Sequence, residues 1–151
     1  MAQSYREFGR DTAVHYVSGS PWQLYSPLVD FLFSPSVGFP PGSMHMKNVR
    51  TNLLESTSYK DFWKLTGFSG SATVVQKTTQ ITQLLAHFPN RTFTLIGDSG
   101  EHDPEIFSGI KQANPNQIIE IRIRDVTDAL LHDPKRLEGM TVISSLDEGC
   151  Q

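Results

Sequence analysis

Near the start of this chain a strand, a turn and a helix start follow one another without spacer residues, and this juncture constrains the fold more than any other feature. Ala13 to Ser18 is a short run rich in β-formers, stopped by Gly19 and Pro21. It predicts a buried strand. Ser20-Pro21 predicts a helix start, with proline at the first helical position and Ser20 as the cap. Leu24, Leu28, Phe31 and Leu32 then recur at helical spacing and predict one apolar face. A tight polar turn between a strand and a helix start is how α/β folds build phosphate sites at the carboxyl ends of strands.

The same order of elements returns downstream. Ser34 to Ser43 is rich in proline and glycine and reads as a loop, and Met44 to Lys47 as a brief extended piece. Residues 48–75 are mixed, with Phe62, Trp63 and Leu65 suggesting an irregular apolar insertion. Ile81, Leu84, Leu85 and Phe88 place a helix over Gln76–Phe88, closed by Pro89. Thr92 to Ile96 is a second strand, ended by Gly97, and Asp103-Pro104 opens a helix running to about Ala113, with Asp103 at or just before its cap. Ile119, Ile121 and Ile123 alternate with charged residues, which suits a strand near a sheet edge. Ala129 to Leu131 reads as one helical turn and Met140 to Ser144 as a last strand. Strands separated by helices define an α/β class, and connections of this length imply a mostly parallel sheet.

Composition narrows the function classes. The formal charge is −3 over 151 residues, so there is no electrostatic footprint for nucleic acid. A single cysteine, Cys150, excludes an internal disulfide framework and a multi-cysteine metal site. No apolar stretch is long enough to span a membrane. Met1 to Arg10 is polar and lacks a signal-peptide core, so a cytoplasmic location is expected.

The densest chemistry lies in Gly97-Asp98-Ser99-Gly100-Glu101-His102-Asp103, between a strand end and a helix start. Asp98, Glu101 and Asp103 crowd negative charge there, and close carboxylates repel unless a cation relieves them. Carboxylates with water and a substrate phosphate suit Mg²⁺. The competing reading makes Asp98 a turn former and Asp103 a helix cap. Ser99 either supports the turn or touches a phosphate, and Glu101 and His102 are read as solvent-facing or loop-orienting. In Ser18-Gly19-Ser20, the Ser18 hydroxyl ends the first strand beside free backbone N–H groups and is placed to bind a phosphate oxygen. Ser18 is not read as a nucleophile, because Tyr16 and Ser20 stand where a nucleophile elbow needs glycines. His15 is read as a packed core residue, and Trp22 and Tyr25 as core first and pocket lining second. Lys77 begins the Ile81/Leu85 helix, where the dipole mildly disfavours a cation. That points either to a solvated surface lysine or to one that neutralises a phosphate or the acid cluster.

Two segments carry a family resemblance. His15-Tyr16-Val17-Ser18-Gly19-Ser20-Pro21-Trp22-Gln23-Leu24-Tyr25 and Phe93 through Glu105, with its Ile96-Gly97-Asp98-Ser99-Gly100-Glu101-His102-Asp103-Pro104 core, resemble the catalytic domain of the actin-patch phosphatidate phosphatase family. That family belongs to the haloacid dehalogenase-like superfamily. The Lys77 helix and Ile121 through Val126 are similar to it as well. The resemblance covers residues 1–126 as a catalytic-domain portion, and residues 127–151 form a C-terminal segment outside it. It implies a Rossmann-like sheet with flanking helices and Mg²⁺-dependent conversion of phosphatidate to diacylglycerol. It further implies that Ser18 binds phosphate with Gly19 and Ser20, that Lys77 stabilises the phosphoryl group, and that Asp98 and Asp103 hold Mg²⁺, all converging on one phosphoryl oxygen. A phosphorylated lipid or another phosphomonoester is then the expected substrate, met by peripheral contact with a membrane. Phe31 to Phe33 and the loop from Val37 to Met46 are the apolar candidates for that contact.

One departure qualifies this. The family's Asp-x-Asp-x-Thr motif, whose first aspartate is the nucleophile and whose second is the general acid/base, is absent upstream of the Ser18 strand. Asp11 precedes that strand, roughly 20 Å from Ser18 at about 3.3 Å per residue, and cannot substitute. The sheet is therefore expected to be incomplete at its first strand. The bare edges this leaves favour self-association or a complementing chain. The chain alone is expected to be inactive. The competing reading is a non-catalytic remnant that binds metal, phosphate or a partner, and a more distant one is an unrelated α/β binding domain.

Overall fold

A computed structural model describes residues 12–47 and 72–143. The apolar insertion read at Phe62, Trp63 and Leu65, the position of Asp11 and the last residues of the tail lie outside the described residues. The chain divides into two compact units, residues 1–55 and 56–151. All strand pairings among the described residues are parallel, distributed over one two-stranded and one three-stranded sheet. With helices alternating between strands, this is the α/β architecture of a Rossmann-like fold. Among the described residues no helix is long and apolar enough to cross a membrane.

In the first unit, strand β1 (His15–Pro21) pairs with β2 (Ser43–Lys47). The helix does not start at Ser20-Pro21, where the sequence places it. The strand continues through Pro21, a 3₁₀ turn occupies Trp22–Leu24, and helix α1 begins only at Tyr25 and ends at Leu32. Ser20 caps neither piece. Five residues of β1, from Val17 to Pro21, match three of β2, from His45 to Lys47. Ser18, Gly19 and Ser20 therefore form a bulge, and the Ser20 N–H donates to the Ser18 hydroxyl at 3.1 Å. The predicted apolar stripe of α1 is not buried: no residue of the helix is, and Phe31 is 59% exposed. Trp22 and Tyr25 are likewise exposed, ring centroids 5.3 Å apart, and are not core. Nor is His15 a packed core residue. It is half-buried, with Nδ1 2.6 Å from the Ser43 hydroxyl, which also lies 2.9 Å from His45 Nε2. Tyr16 organises this unit instead, packing edge-on to Phe33 and donating its hydroxyl to the Pro40 carbonyl at 2.6 Å.

The second unit holds the larger described core. Helix α2 (Ala72–His87) leads to β3 (Phe93–Asp98), α3 (Asp103–Ala113), β4 (Ile118–Arg124), the short α4 (Ala129–His132), a 3₁₀ turn at Pro134–Leu137 and β5 (Thr141–Ile143). Ile81 and Leu85 of α2, Leu95 of β3, Ile106, Phe107 and Ile110 of α3, and Ile118, Ile121 and Ile123 of β4 are buried. This apolar area supplies the main driving force for the unit, at about 25 cal/mol per Å² removed from water. The Gln117 side chain donates to the carbonyls of Leu85 and Phe88 at 3.2 and 3.3 Å, satisfying groups the end of α2 leaves unpaired.

Among the described residues strand β4 lies between β3 and β5, one strand in from the end of its sheet. Its charged alternation reports one polar face, which a strand flanked on both sides can also carry. The alternation also breaks at Ile119, which is exposed while Ile118 is buried. The register explains this: Phe93 pairs with Ile118 and Thr94 with Glu120, so Ile119 is the extra residue of a bulge.

Candidate functional site

The second unit concentrates its polar chemistry where β3 gives way to α3. Asp98 is the last residue of β3 and Asp103 the first of α3. The helix cap is His102, whose side chain makes no capping hydrogen bond. Asp103 is thus released from capping and its carboxylate turns to Lys77. Lys77 does not begin its helix; it stands in the second turn of α2, which starts at Ala72, where the dipole penalty has faded. From there Nζ reaches Asp103 Oδ1 at 2.6 Å and Glu101 Oε2 at 3.1 Å. The Lys77 and Asp103 side chains are only 13% and 10% exposed, whereas that of Glu101 is 64% exposed. The Lys77–Asp103 pair is therefore the buried contact and Glu101 its solvent rim. Thr73, Val74, Lys77, Gly100, Glu101, His102 and Ile106 line an open cleft of about 270 Å³ beside it.

Electrostatics at this pair are set by burial. Desolvation pushes the Asp103 carboxyl above the usual carboxylate range and the nearby charge of Asp98 adds to it, while Lys77 and a backbone hydrogen bond from Asp98 oppose the rise. For Lys77 desolvation also disfavours the charge, but Asp103 and Glu101 outweigh it and hold the ammonium above its ordinary value. Lys77 thus offsets part of the desolvation that disfavours the Asp103 carboxylate.

Beneath the acid turn lies a second polar layer. Of the two roles the sequence allows it, Ser99 takes that of turn support. It is 1% exposed, its hydroxyl lies 2.7 Å from Asp125 Oδ1, and it accepts from the Val126 and Thr127 N–H groups at 2.9 and 3.2 Å. Asp98 Oδ1 accepts the Gly100 N–H at 2.8 Å, so Asp98 closes its own turn. Arg136 donates to the carbonyls of Ser99 and Glu101 and pairs with the Glu105 carboxylate. Glu105 and Asp125 fall inside the segments of family resemblance without a role assigned to them, and nothing in the sequence pattern singles out Arg136. Residues 134–137 carry no periodic signal, and the partners of Arg136 stand 31 to 37 residues away along the chain.

Asp125 gives this layer a pH signature. Burial raises its carboxyl, but the N–H groups of Leu130 and Ala129, the Ser99 hydroxyl and the Thr127 N–H outweigh this and lower it from 3.8 to about 2. A folded value below the unfolded one means the stabilisation is fully present above about pH 4 and is lost as pH falls towards about 2. Asp125→Asn is expected to flatten acid unfolding across that window, followed by far-UV circular dichroism. Superimposable acid transitions for the two proteins would contradict this.

Of the residues singled out from sequence, Lys77, Asp98 and Asp103 share the second unit, with Lys77 and Asp103 in direct contact. Ser18, Gly19 and Ser20 belong to the β1 bulge of the first unit. Among the described residues no group of three or more His, Cys, Asp or Glu is arranged to hold a metal. Asp98 and Asp103 form a two-carboxylate set. That is sparse for most metals but compatible with Mg²⁺, which keeps several waters and uses one or two carboxylates with substrate phosphate.

A parallel α/β fold with an acid turn at the carboxyl end of a strand, faced by a buried lysine, defines the structural class. Within it, the chain belongs to the family described as phosphatidate phosphatase APP1, catalytic domain, whose model matches residues 1–125. It is 31% identical over 142 residues to phosphatidate phosphatase APP1 of Saccharomyces cerevisiae, covering 91% of this chain and 22% of that protein. It is 27% identical over 118 residues to an uncharacterised protein of Schizosaccharomyces pombe, covering 77% of this chain and 17% of that one. The chain thus spans about a fifth of the length of these curated relatives. No solved structure matches it.

Proposed function

We propose that the acid turn is a phosphoryl-binding Mg²⁺ site of a phosphatidate phosphatase-like domain, acting on the phosphomonoester of a lipid. The observation that carries this reading is the 2.6 Å Lys77–Asp103 pair beside Asp98, inside the stretch that matches the phosphatase family. Asp98 and Asp103 are the residues to hold Mg²⁺, which when bound supplies Lewis-acid polarisation of a phosphoryl oxygen. Lys77 favours the charged form of Asp103 in its buried setting and offers its ammonium to the phosphoryl charge. The Ser18 hydroxyl and the backbone around Gly19 and Ser20 supply a phosphate-oxygen contact within the first unit. Phosphatidate is favoured as the substrate because the yeast relative is a phosphatidate phosphatase. Peripheral contact with a membrane follows from a lipid substrate.

The 151 residues contain no Asp-x-Asp-x-Thr motif and so supply no matching aspartate nucleophile. With Mg²⁺ and phosphatidate vesicles, or with a soluble aryl phosphate, this polypeptide alone is expected to release no phosphate while still binding inorganic phosphate in a Mg²⁺-dependent manner. Phosphate release that disappears in Asp98→Asn would overturn the inactivity and leave the site standing. Phosphate binding indifferent to both Mg²⁺ and Asp98→Asn would remove the site.

A further inference from the structure

We propose that Arg136 is a positioning residue that fixes the Ser99–Glu101 turn so that Asp98 faces a divalent cation; this rests on the reading of Asp98 and Asp103 as the cation-holding pair. Arg136 sits on the 3₁₀ turn Pro134–Leu137, beyond the stretch that the family model matches. Nη1 donates to the Ser99 carbonyl at 2.7 Å and Nη2 to the Glu101 carbonyl. Nε and Nη2 both donate to the Glu105 carboxylate in the first turn of α3, Nη2 at 3.1 Å.

The two carbonyls flank Gly100, whose N–H donates to Asp98 Oδ1 at 2.8 Å. Glycine brings no side chain to restrain this turn and samples a wide range of backbone angles. The guanidinium holds the Ser99–Gly100 peptide, the same planar unit whose N–H holds Asp98, and the Glu101–His102 peptide further along the turn. A planar fork with five donors can serve two carbonyls and a carboxylate together. A lysine ammonium cannot reproduce that arrangement. Supports one bond removed from a metal ligand characteristically shift metal affinity when removed.

The alternative is that Arg136 merely staples residues 134–137 to α3 through Glu105. Three variants of the 151-residue chain separate the two: Arg136→Lys, which keeps a cation for Glu105 but loses the fork; Glu105→Gln, which removes the ion pair and leaves the carbonyl contacts; and Asp98→Asn. The readouts are hydrogen exchange of the Gly100 amide by NMR and Mg²⁺ affinity by calorimetry with the metal alone. Arg136→Lys is expected to lower Gly100 protection and weaken Mg²⁺ binding about tenfold or more. Glu105→Gln is expected to change neither, even if it lowers the melting temperature. Unchanged Gly100 protection in Arg136→Lys overturns the proposal, as does a Glu105→Gln effect on Mg²⁺ equal to that of Arg136→Lys. If Mg²⁺ affinity is unchanged in Arg136→Lys but falls in Asp98→Asn, the positioning role is wrong and the cation site stands. If it is unchanged in both, the cation reading itself is wrong and the proposal falls with it.

Discussion

Lys77→Met is expected to destabilise the second unit by about 3–5 kcal/mol, the usual cost of removing one member of a buried ion pair. The methionine stem replaces the packing of the lysine chain, so the loss isolates the charge. Asp103 is left with its side chain at 10% exposure and without the cation 2.6 Å away that opposes its desolvation. Burial already pushes that carboxyl up from 3.8, and without Lys77 it rises further. A folded value above the unfolded one means that Asp103 favours folding below about pH 4 and works against it as pH rises through the folded value. The deficit in Lys77→Met is therefore expected to shrink in acid and to be greatest near neutrality. Lys77→Met combined with Asp103→Leu should recover most of the loss, because no unpaired charge remains. Urea unfolding at two pH values checks this, and equal losses in the single and double variants would contradict it.

Gly97→Ala is expected to cost about 1–3 kcal/mol or somewhat more, as overpacking of a filled site does. A β-carbon on Gly97 would stand 2.6 Å from Asp103 Oδ2, 2.8 Å from Phe107 Cε2 and 2.9 Å from Asp103 Cβ. Phe107 is buried, and Asp103 is pinned by Lys77, so neither yields without moving α3 away from β3. That displacement also lengthens the Lys77–Asp103 contact. A loss of stability together with weaker phosphate binding is the expected pattern. A Gly97→Ala variant as stable as the parent would show that α3 can shift freely against β3.

Much of this arrangement was legible in the residues. Asp103-Pro104 marks the start of α3 because proline fits the first turn of a helix, and the helix runs from Asp103 to Ala113 as expected. The apolar runs around Leu95 and Ile121 mark their strands because burial imposes the pattern. Asp98 and Asp103 stand out because their spacing crowds carboxylates at one strand end, although turn forming and capping are ordinary uses of such residues.

What escaped was decided by partners distant in sequence. Ser18 to Pro21 carries turn formers, yet β2 extends the strand through them and absorbs the excess residues in a bulge. The strand at Met140 to Ser144 was legible and is β5, but its pairing with β4, which places β4 between two strands, is not written in either segment's pattern. The exposure of Trp22, Tyr25 and Phe31 could not be read from helical spacing, which identifies a shared face but not whether anything covers it. Arg136 was invisible because its role is made entirely by contacts across the fold.

The most direct test of the account is a Mg²⁺ titration of the parent chain and of Asp98→Asn by isothermal calorimetry, with and without inorganic phosphate. A saturable isotherm in the parent, tightened by phosphate and lost in Asp98→Asn, is the predicted result. Identical isotherms for the two proteins would contradict it.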